Sequence, residues 1–264
     1  EDVLLNRVFQ GLSNGFYLDV GANDPVVDSV TKLFYDRGWT GINVEPDEPC
    51  WRRLESLRPR DLNLNLGLSD RPGTLTFHTA EHAGGWSTFS SEQAEDLLRK
   101  GFQIQPRSMS VTTLADICSK YVGDRSIDFL KIDVESHEFE VIVGADWKRW
   151  RPRVVLVEAN AEERWEPLLL AADYRFAAFD GLNRYYAKVE EADDLIPRFS
   201  PPVNVLDDFI PYRYQLALNQ LRDQVQAMQE VGPTTLALAR RIRRAANWVP
   251  GLSRVARHWS RRAG

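Results

Sequence analysis

Cysteine is scarce in this chain of 264 residues: Cys50 and Cys118 are the only two, and they stand far apart. Their scarcity excludes a disulfide-stapled miniprotein and a zinc site of paired thiolates, and it fits a reducing compartment. Both thiols read as small buried hydrophobes. Long apolar runs are also missing, since none approaches the roughly eighteen residues that a membrane span requires. The start Glu1-Asp2-Val3 lacks the basic-then-apolar pattern of a secretory signal. The expectation is a cytoplasmic body. A third absence is the G-x-G-x-x-G fingerprint, because Gly21 is followed by Asn23 and Pro25, so no pyrophosphate bed of a nicotinamide enzyme is evident.

What is present suits one globular domain with an appendage: 43% of residues are hydrophobic, 27% charged and 11% aromatic. Disorder and collagen are thereby excluded. The net charge of −5 conceals an uneven distribution. Through Tyr212 the chain holds 23 Lys and Arg against 36 Asp and Glu, and the remaining 52 residues hold 10 against 2. An acidic body argues against nucleic-acid binding, and any polyanion or lipid contact must rest on the basic tail.

From Gly15 to about Lys188, short β-rich runs alternate with helical stretches, the pattern of a parallel α/β sheet. The strand candidates are Phe16–Val20, Gly41–Glu45, Leu62–Leu66, Ile127–Ile132 and Val154–Glu158. Four of them end at or beside a polar residue, and ligands of open α/β sheets sit outside the carboxyl ends of strands. An insertion, Arg71–Val111, carries an expected hairpin around Arg71-Pro72-Gly73 and the tract Ala83-Gly84-Gly85-Trp86-Ser87-Thr88, suited to a lid or an acceptor wall. A helix over 162–172 leads to Tyr174–Phe179 and, across Asp180-Gly181, to Asn183–Lys188, an antiparallel close to the sheet. Two domains are expected: 1–202, and a helical basic extension over 203–264. In the extension Tyr214, Leu218, Leu221, Val225 and Met228 form a short a/d seam for self-association or a further domain. Leu236 to Arg262 has eight arginines, no acid, and Trp248 and Trp259, which suits an interfacial helix at an anionic membrane such as the inner face of the cell membrane.

Three motifs carry chemistry. Leu18-Asp19-Val20-Gly21 runs a strand into a glycine turn, where Gly21 admits close backbone approach and Asp19 suits an ammonium group. Val44-Glu45-Pro46 follows 24 residues after Gly21, near the offset at which a carboxylate accepts ribose hydroxyls. Together they describe a site for an adenosine attached to an amino acid, that is, S-adenosylmethionine (SAM). The third motif, Leu130-Lys131-Ile132-Asp133-Val134-Glu135-Ser136-His137-Glu138, is a strand end entering a helix expected over 134–143, with Asp133 either its N-cap or a site residue.

These motifs, with Gly38-Trp39-Thr40-Gly41, Gly144-Ala145-Asp146-Trp147 and Val155–Glu158, resemble the FkbM family of SAM-dependent methyltransferases over roughly Phe16 to Lys188. The resemblance implies a class I methyltransferase fold: a Rossmann-like, mostly parallel seven-stranded sheet with an antiparallel last strand, followed here by a helical extension. It further implies a sugar or polyketide hydroxyl as acceptor and a place in glycan or antibiotic biosynthesis. Two positions depart from the family, which usually has glycine where this chain has Pro25 and Ser136. Proline suits a helix entry, and Ser136 is expected to alter the acceptor pocket.

An alcohol is a poor nucleophile while protonated, so O-methylation calls for a base, a metal that acidifies the hydroxyl, or both. His137 is the expected base, with Asp133 and Glu158 also acting on the acceptor. Asp133, Glu158 and Asn160 would suit Mg2+ or Mn2+. Asp19, Gly21, Asn23 and Glu45, with the backbone around Gly67-Leu68-Ser69 at the adenine, would hold SAM. Glu135 and Glu138 read as helix-dipole partners or solvated charges. His78 and His82 stand four apart on a strand followed by a loop, a poor arrangement for a metal pair. Three other readings stand beside this one: a non-catalytic scaffold that positions a partner through the tail, a nicotinamide-dependent sugar enzyme, and an N-methyltransferase.

Overall fold

The computed structural model describes residues 1–80, 85–159, 163–207 and 209–229. Two compact units divide the chain, Glu1–Asp208 and Phe209–Gly264. The first begins with α1 (Asp2–Val8), β1 (Phe16–Val20), α2 (Lys32–Asp36), β2 (Thr40–Val44), α3 (Glu48–Leu57) and β3 (Leu62–Leu64). An inserted arm follows: β4 (Gly67–Leu68), β5 (Gly73–Ala80), α4 (Ser91–Arg99) and β6 (Ile104–Thr112). The chain then makes α5 (Leu114–Ile117), which runs into a π turn, and continues through β7 (Phe129–Ile132), α6 (Glu138–Val143), β8 (Val154–Glu158), α7 (Glu166–Ala171), β9 (Tyr174–Phe179), β10 (Asn183–Lys188) and α8 (Ala192–Phe199).

Seven strands form one sheet in the order β3-β2-β1-β7-β8-β10-β9. All the pairings are parallel except those of β10, which runs antiparallel to both neighbours. This is the class I methyltransferase architecture. Both faces are covered, so β1, β7 and β8 are buried at every residue. Phe16, Leu18 and Val20 face Leu114, Ile117, Val141 and Leu169 on one side. Tyr17, Trp39, Phe129 and Leu156 face Leu5, Val8, Phe34 and Leu195 on the other.

Several boundaries differ from the sequence reading. β3 stops at Leu64 because the Asn65 amide donates to the carbonyls of Glu45 and Pro46 and draws the chain off the sheet. No hairpin forms at Arg71-Pro72-Gly73: β5 pairs antiparallel with β6, which lies between β5 and β4. α7 begins at Glu166, with Pro167 in its first turn where a missing N–H costs nothing. α6 begins at Glu138, with His137 as its N-cap, so Asp133 caps no helix.

Pro25 enters no helix either. Its carbonyl accepts from Arg58 Nε (3.1 Å) and Nη2 (2.6 Å) within the 21–31 loop. The body also reaches past residue 202, because Arg7 grips Asp207 through two bonds of 2.8 and 2.6 Å. In the second unit α9 (Tyr212–Gln229) forms as the seam predicts, with Leu218, Leu221 and Val225 half-buried and Tyr214 exposed. The basic stretch 236–262 lies outside the described residues, among which no helix is long and apolar enough to cross a membrane.

Candidate functional site

A polar row crosses the carboxyl end of the sheet. Register places Asn63 beside Asn43, Asn43 beside Asp19, and Asp19 beside Lys131. Lys131 Nζ lies 3.4 Å from Asp19 Oδ1 and 3.1 Å from Asp133 Oδ2, and it donates to the Gly21 carbonyl at 3.2 Å. Burial opposes its charge, yet Asp133, Asp19 and Glu1 together hold it above the ordinary lysine range. One ammonium thus ties the end of β1, the glycine turn and the end of β7 into a unit.

Above this row opens a cavity of about 530 Å3, walled by the ends of β1, β2, β7 and β8 and by the arm. The turn after β1 holds Gly21 at φ +78, and a Cβ there would meet the Asp133 carbonyl at 1.8 Å. Gly21→Ala is therefore expected to cost about 3 kcal/mol from left-handed strain and overpacking together. A melting temperature within 2 °C of the parent, approximately the effect of less than 1 kcal/mol, would refute this.

Glu45 lies at the end of β2 and accepts from Asn23 N (2.6 Å) and Asp47 N (2.7 Å). Burial pushes its carboxyl up to about 7 despite those two amides. Gly21, Asn23, Glu45, Gly67 and Leu68 all line the cavity, and this bare-backbone, carboxylate-bearing wall fits a nucleoside. Cys50 lines it too, donating to Asn23 Oδ1 (3.4 Å), so it is not the buried hydrophobe expected; burial beside Glu45 and Asp47 lifts its thiol to about 12.

Across the cavity, carboxylate oxygens of Asp133, Glu135 and Glu158 lie within 4.8 Å of one another. Glu135 enters this cluster because Glu135 (φ +55) and Ser136 (φ +74) are both left-handed, which turns the chain before α6 starts. Glu138 fixes that turn: its buried carboxylate accepts from Val134 N (3.1 Å) and Ser136 N (3.2 Å). Glu135 and Glu138 are therefore neither solvated charges nor simple dipole partners. Burial first, then Asp133 and Glu138, lifts Glu135 to about 7. Ser136 is exposed and does not line the cavity, so its departure from glycine bears on backbone strain and not on pocket shape.

The arm supplies the remaining wall with Phe77, Thr79, Gly85, Trp86, Ser87 and Phe89. Trp86 is 43% exposed and sits edge-on to Phe102 at 5.0 Å. Thr88 is buried and donates to the Glu135 carbonyl, binding the arm to the acidic turn.

Of the residues predicted for the site, Gly21, Asn23, Glu45, Asp133 and Glu158 come together on this cavity, and three do not. Asp19 is 1% exposed, bonded to Thr31 Oγ1 (2.7 Å) and paired with Lys131, so it supports the wall from behind. Ser69 and His137 hold each other (Nε2 to Oγ 3.2 Å) outside the cavity lining, with Glu140 3.5 Å from the second ring nitrogen and Phe89 against the ring at 5.5 Å. Burial lowers the His137 pKa, and both nitrogens are engaged, so the base expected there is not presented to the cavity. Asn160 and His82 lie outside the described residues. Lys131 is a position of this site that the sequence reading passed over, and Glu135 is one that it read as a dipole partner or solvated charge. A lysine inside an otherwise apolar strand was the available signal for the first.

Residues 19–180, more than half of the chain, match the family described as the methyltransferase FkbM domain. The chain is 28% identical over 185 residues to the methyltransferase sdnD of Sordaria araneosa, covering 59% of this chain and 68% of that protein. A crystal structure of the methyltransferase FkbM from Methylobacillus flagellatus KT aligns with a TM-score of 0.41 at 14% identity, over 69% of this chain. The chain spans 47% of that protein's length. With the family matched from the end of β1 to the β9–β10 turn, the chain belongs to the FkbM methyltransferases.

Proposed function

We propose that this methyltransferase uses SAM to methylate a hydroxyl of a sugar or glycoconjugate. The observation that carries the reading is the Asp133, Glu135, Glu158 cluster facing the glycine turn and Glu45 across one cavity. Gly21, Asn23 and Glu45 would take the nucleoside, with Glu45 accepting the ribose hydroxyls. Asp133, Glu135 and Glu158 would hold Mg2+ or Mn2+, which would supply acidification of a bound hydroxyl. In the ion-free site Glu135, lifted to about 7 by burial, is suited to take the hydroxyl proton itself, the role first expected of His137. The 214–228 helix and the basic tail are proposed for self-association and for contact with an anionic membrane surface, on the support of their composition alone.

The test is labelled SAM with a panel of glycosides, with and without EDTA, on the parent, Glu135→Gln and His137→Ala. Transfer is expected to fall roughly a hundredfold or more in Glu135→Gln, and His137→Ala is expected to lower the melting temperature while transfer persists. Absence of SAM binding would favour the scaffold reading, and transfer only to amines, indifferent to EDTA, the N-methyltransferase.

Glu45 gives the site a pH signature. Its folded carboxyl titrates near 7 against 4.5 unperturbed, so the folded state keeps the proton longer. Its contribution to stability is full below about 4.5 and is lost as pH rises through about 7. Ribose recognition runs the other way, because only the ionised form accepts from both hydroxyls. SAM affinity by calorimetry is expected to rise between pH 6 and 8 in the parent and to lose that slope in Glu45→Gln; equal slopes would remove Glu45 from the ribose.

A further inference from the structure

Nothing on the described cavity wall is built to meet an anion. Seven carboxylates stand on it, Glu1, Asp28, Glu45, Asp47, Asp133, Glu135 and Glu158, and no lysine, arginine or histidine side chain lines it. Lys131, behind the wall, is 5% exposed and already committed to Asp19, Asp133 and the Gly21 carbonyl.

Backbone amides are the other recourse of phosphate sites, and here six of those in the two turns are spent inside the protein. In the glycine turn Gly21 N and Ala22 N donate to the Val44 carbonyl at 3.0 and 3.2 Å, and Asn23 N donates to Glu45. Across the cavity Asp133 N donates to the Val20 carbonyl, and Val134 N and Ser136 N both donate to Glu138. On the arm Ser87 Oγ accepts from Ala80 N at 3.1 Å and Thr88 Oγ1 donates to the Glu135 carbonyl, which leaves the Thr79 hydroxyl, buried and unpartnered, as a neutral donor only. A phosphate would lose its water without meeting a cationic side chain on the described wall, inside a field of its own sign.

Resting on the methyl-transfer reading, we infer that the acceptor is an uncharged or amino-bearing glycoside, and not a nucleotide-linked, phosphorylated or otherwise acidic sugar. Trp86, half-exposed on the arm and lining the same cavity as the acidic cluster, offers a flat apolar surface of the kind on which the C–H face of a neutral sugar packs. Methylation would then follow glycosyl transfer: the reaction that supplies this substrate is one that has already discharged the nucleotide from the sugar.

The experiment compares each sugar of a panel as its methyl glycoside and as its nucleoside diphosphate conjugate, using the full chain, with SAM binding measured separately by calorimetry. The expected result is a kcat/KM at least roughly tenfold higher for the glycoside, with the gap narrowing as salt is raised from about 0.01 to about 0.3 M. Asp28→Asn, at the exposed rim and in a left-handed position that asparagine tolerates, is expected to narrow the gap at low salt. Equal or better use of the nucleotide conjugate overturns the inference, as does a gap insensitive to both salt and Asp28→Asn. Bound SAM with no transfer to either form overturns instead the methyl-transfer reading on which the inference rests.

Discussion

Lys131→Met is expected to lose SAM binding and to destabilise the body by about 3–5 kcal/mol, the cost of leaving a buried charge without its partner. Two carboxylates would be stranded at once, since Asp19 and Asp133 both lie within 3.4 Å of the ammonium. The melting temperature should drop by about 10 °C for a body of this size. Lys131→Arg should not rescue it, because a branched guanidinium does not fit where the lysine side chain is 7% exposed between two strands. A merely bulky or apolar role for the residue predicts otherwise, and the double variant Lys131→Met with Asp19→Asn separates the cases. With one charge of the pair neutralised, the double variant should be more stable than Lys131→Met alone. Strict additivity of the two changes would show that the ammonium does not hold Asp19.

Arg58→Ala should be comparably severe, about 3–5 kcal/mol, with its effect on the loop that carries Asn23. The guanidinium is fully buried and donates to the Pro25 carbonyl, Ser29 Oγ (2.8 Å) and Thr31 Oγ1 (3.2 Å), while Tyr35 lies 5.1 Å beneath it. Asp61 stands 3.8 Å away and keeps bonds from Tyr17 OH (2.7 Å), Gly41 N (2.8 Å) and Asn43 Nδ2 (3.0 Å), so it would stay in place without its counter-charge. Thermal melting together with SAM titration reads both consequences. A variant that melts within about 2 °C of the parent, less than 1 kcal/mol by the usual conversion, would show that the loop is held by other means.

The strands that end on the cavity were legible because their runs stop at a glycine or a carboxylate: Val20 before Gly21, Val44 before Glu45, Ile132 before Asp133, and Glu158 itself. Glu135 was not, since its place depends on two successive left-handed residues, and a helical pattern read through 134–143 puts the same glutamate on a solvated face. Lys131 and Arg58 were hidden for a different reason. A buried cation is readable only through its partners, and all of those but Asp133 and Asp61 arrive from strands and loops more than twenty residues distant. His137 stood in a motif, but sequence proximity to Asp133 does not fix the direction of a ring, and Ser69 and Glu140 fix it away from the cavity.

The clasp between Arg7 and Asp207 has a consequence for the topology of the body. Arg7 Nη1 also donates to the Pro201 carbonyl (2.6 Å), and Arg198 Nη1 donates to the Val8 carbonyl (2.8 Å), so positions two hundred residues apart in the chain are neighbours in space. The body is in effect a ring with a clasp. It can be sewn shut by a short peptide across that clasp and reopened elsewhere, and the Gly101 turn between α4 and β6, at φ +91 with open space around it, is where a circular permutant would cut without touching the cavity.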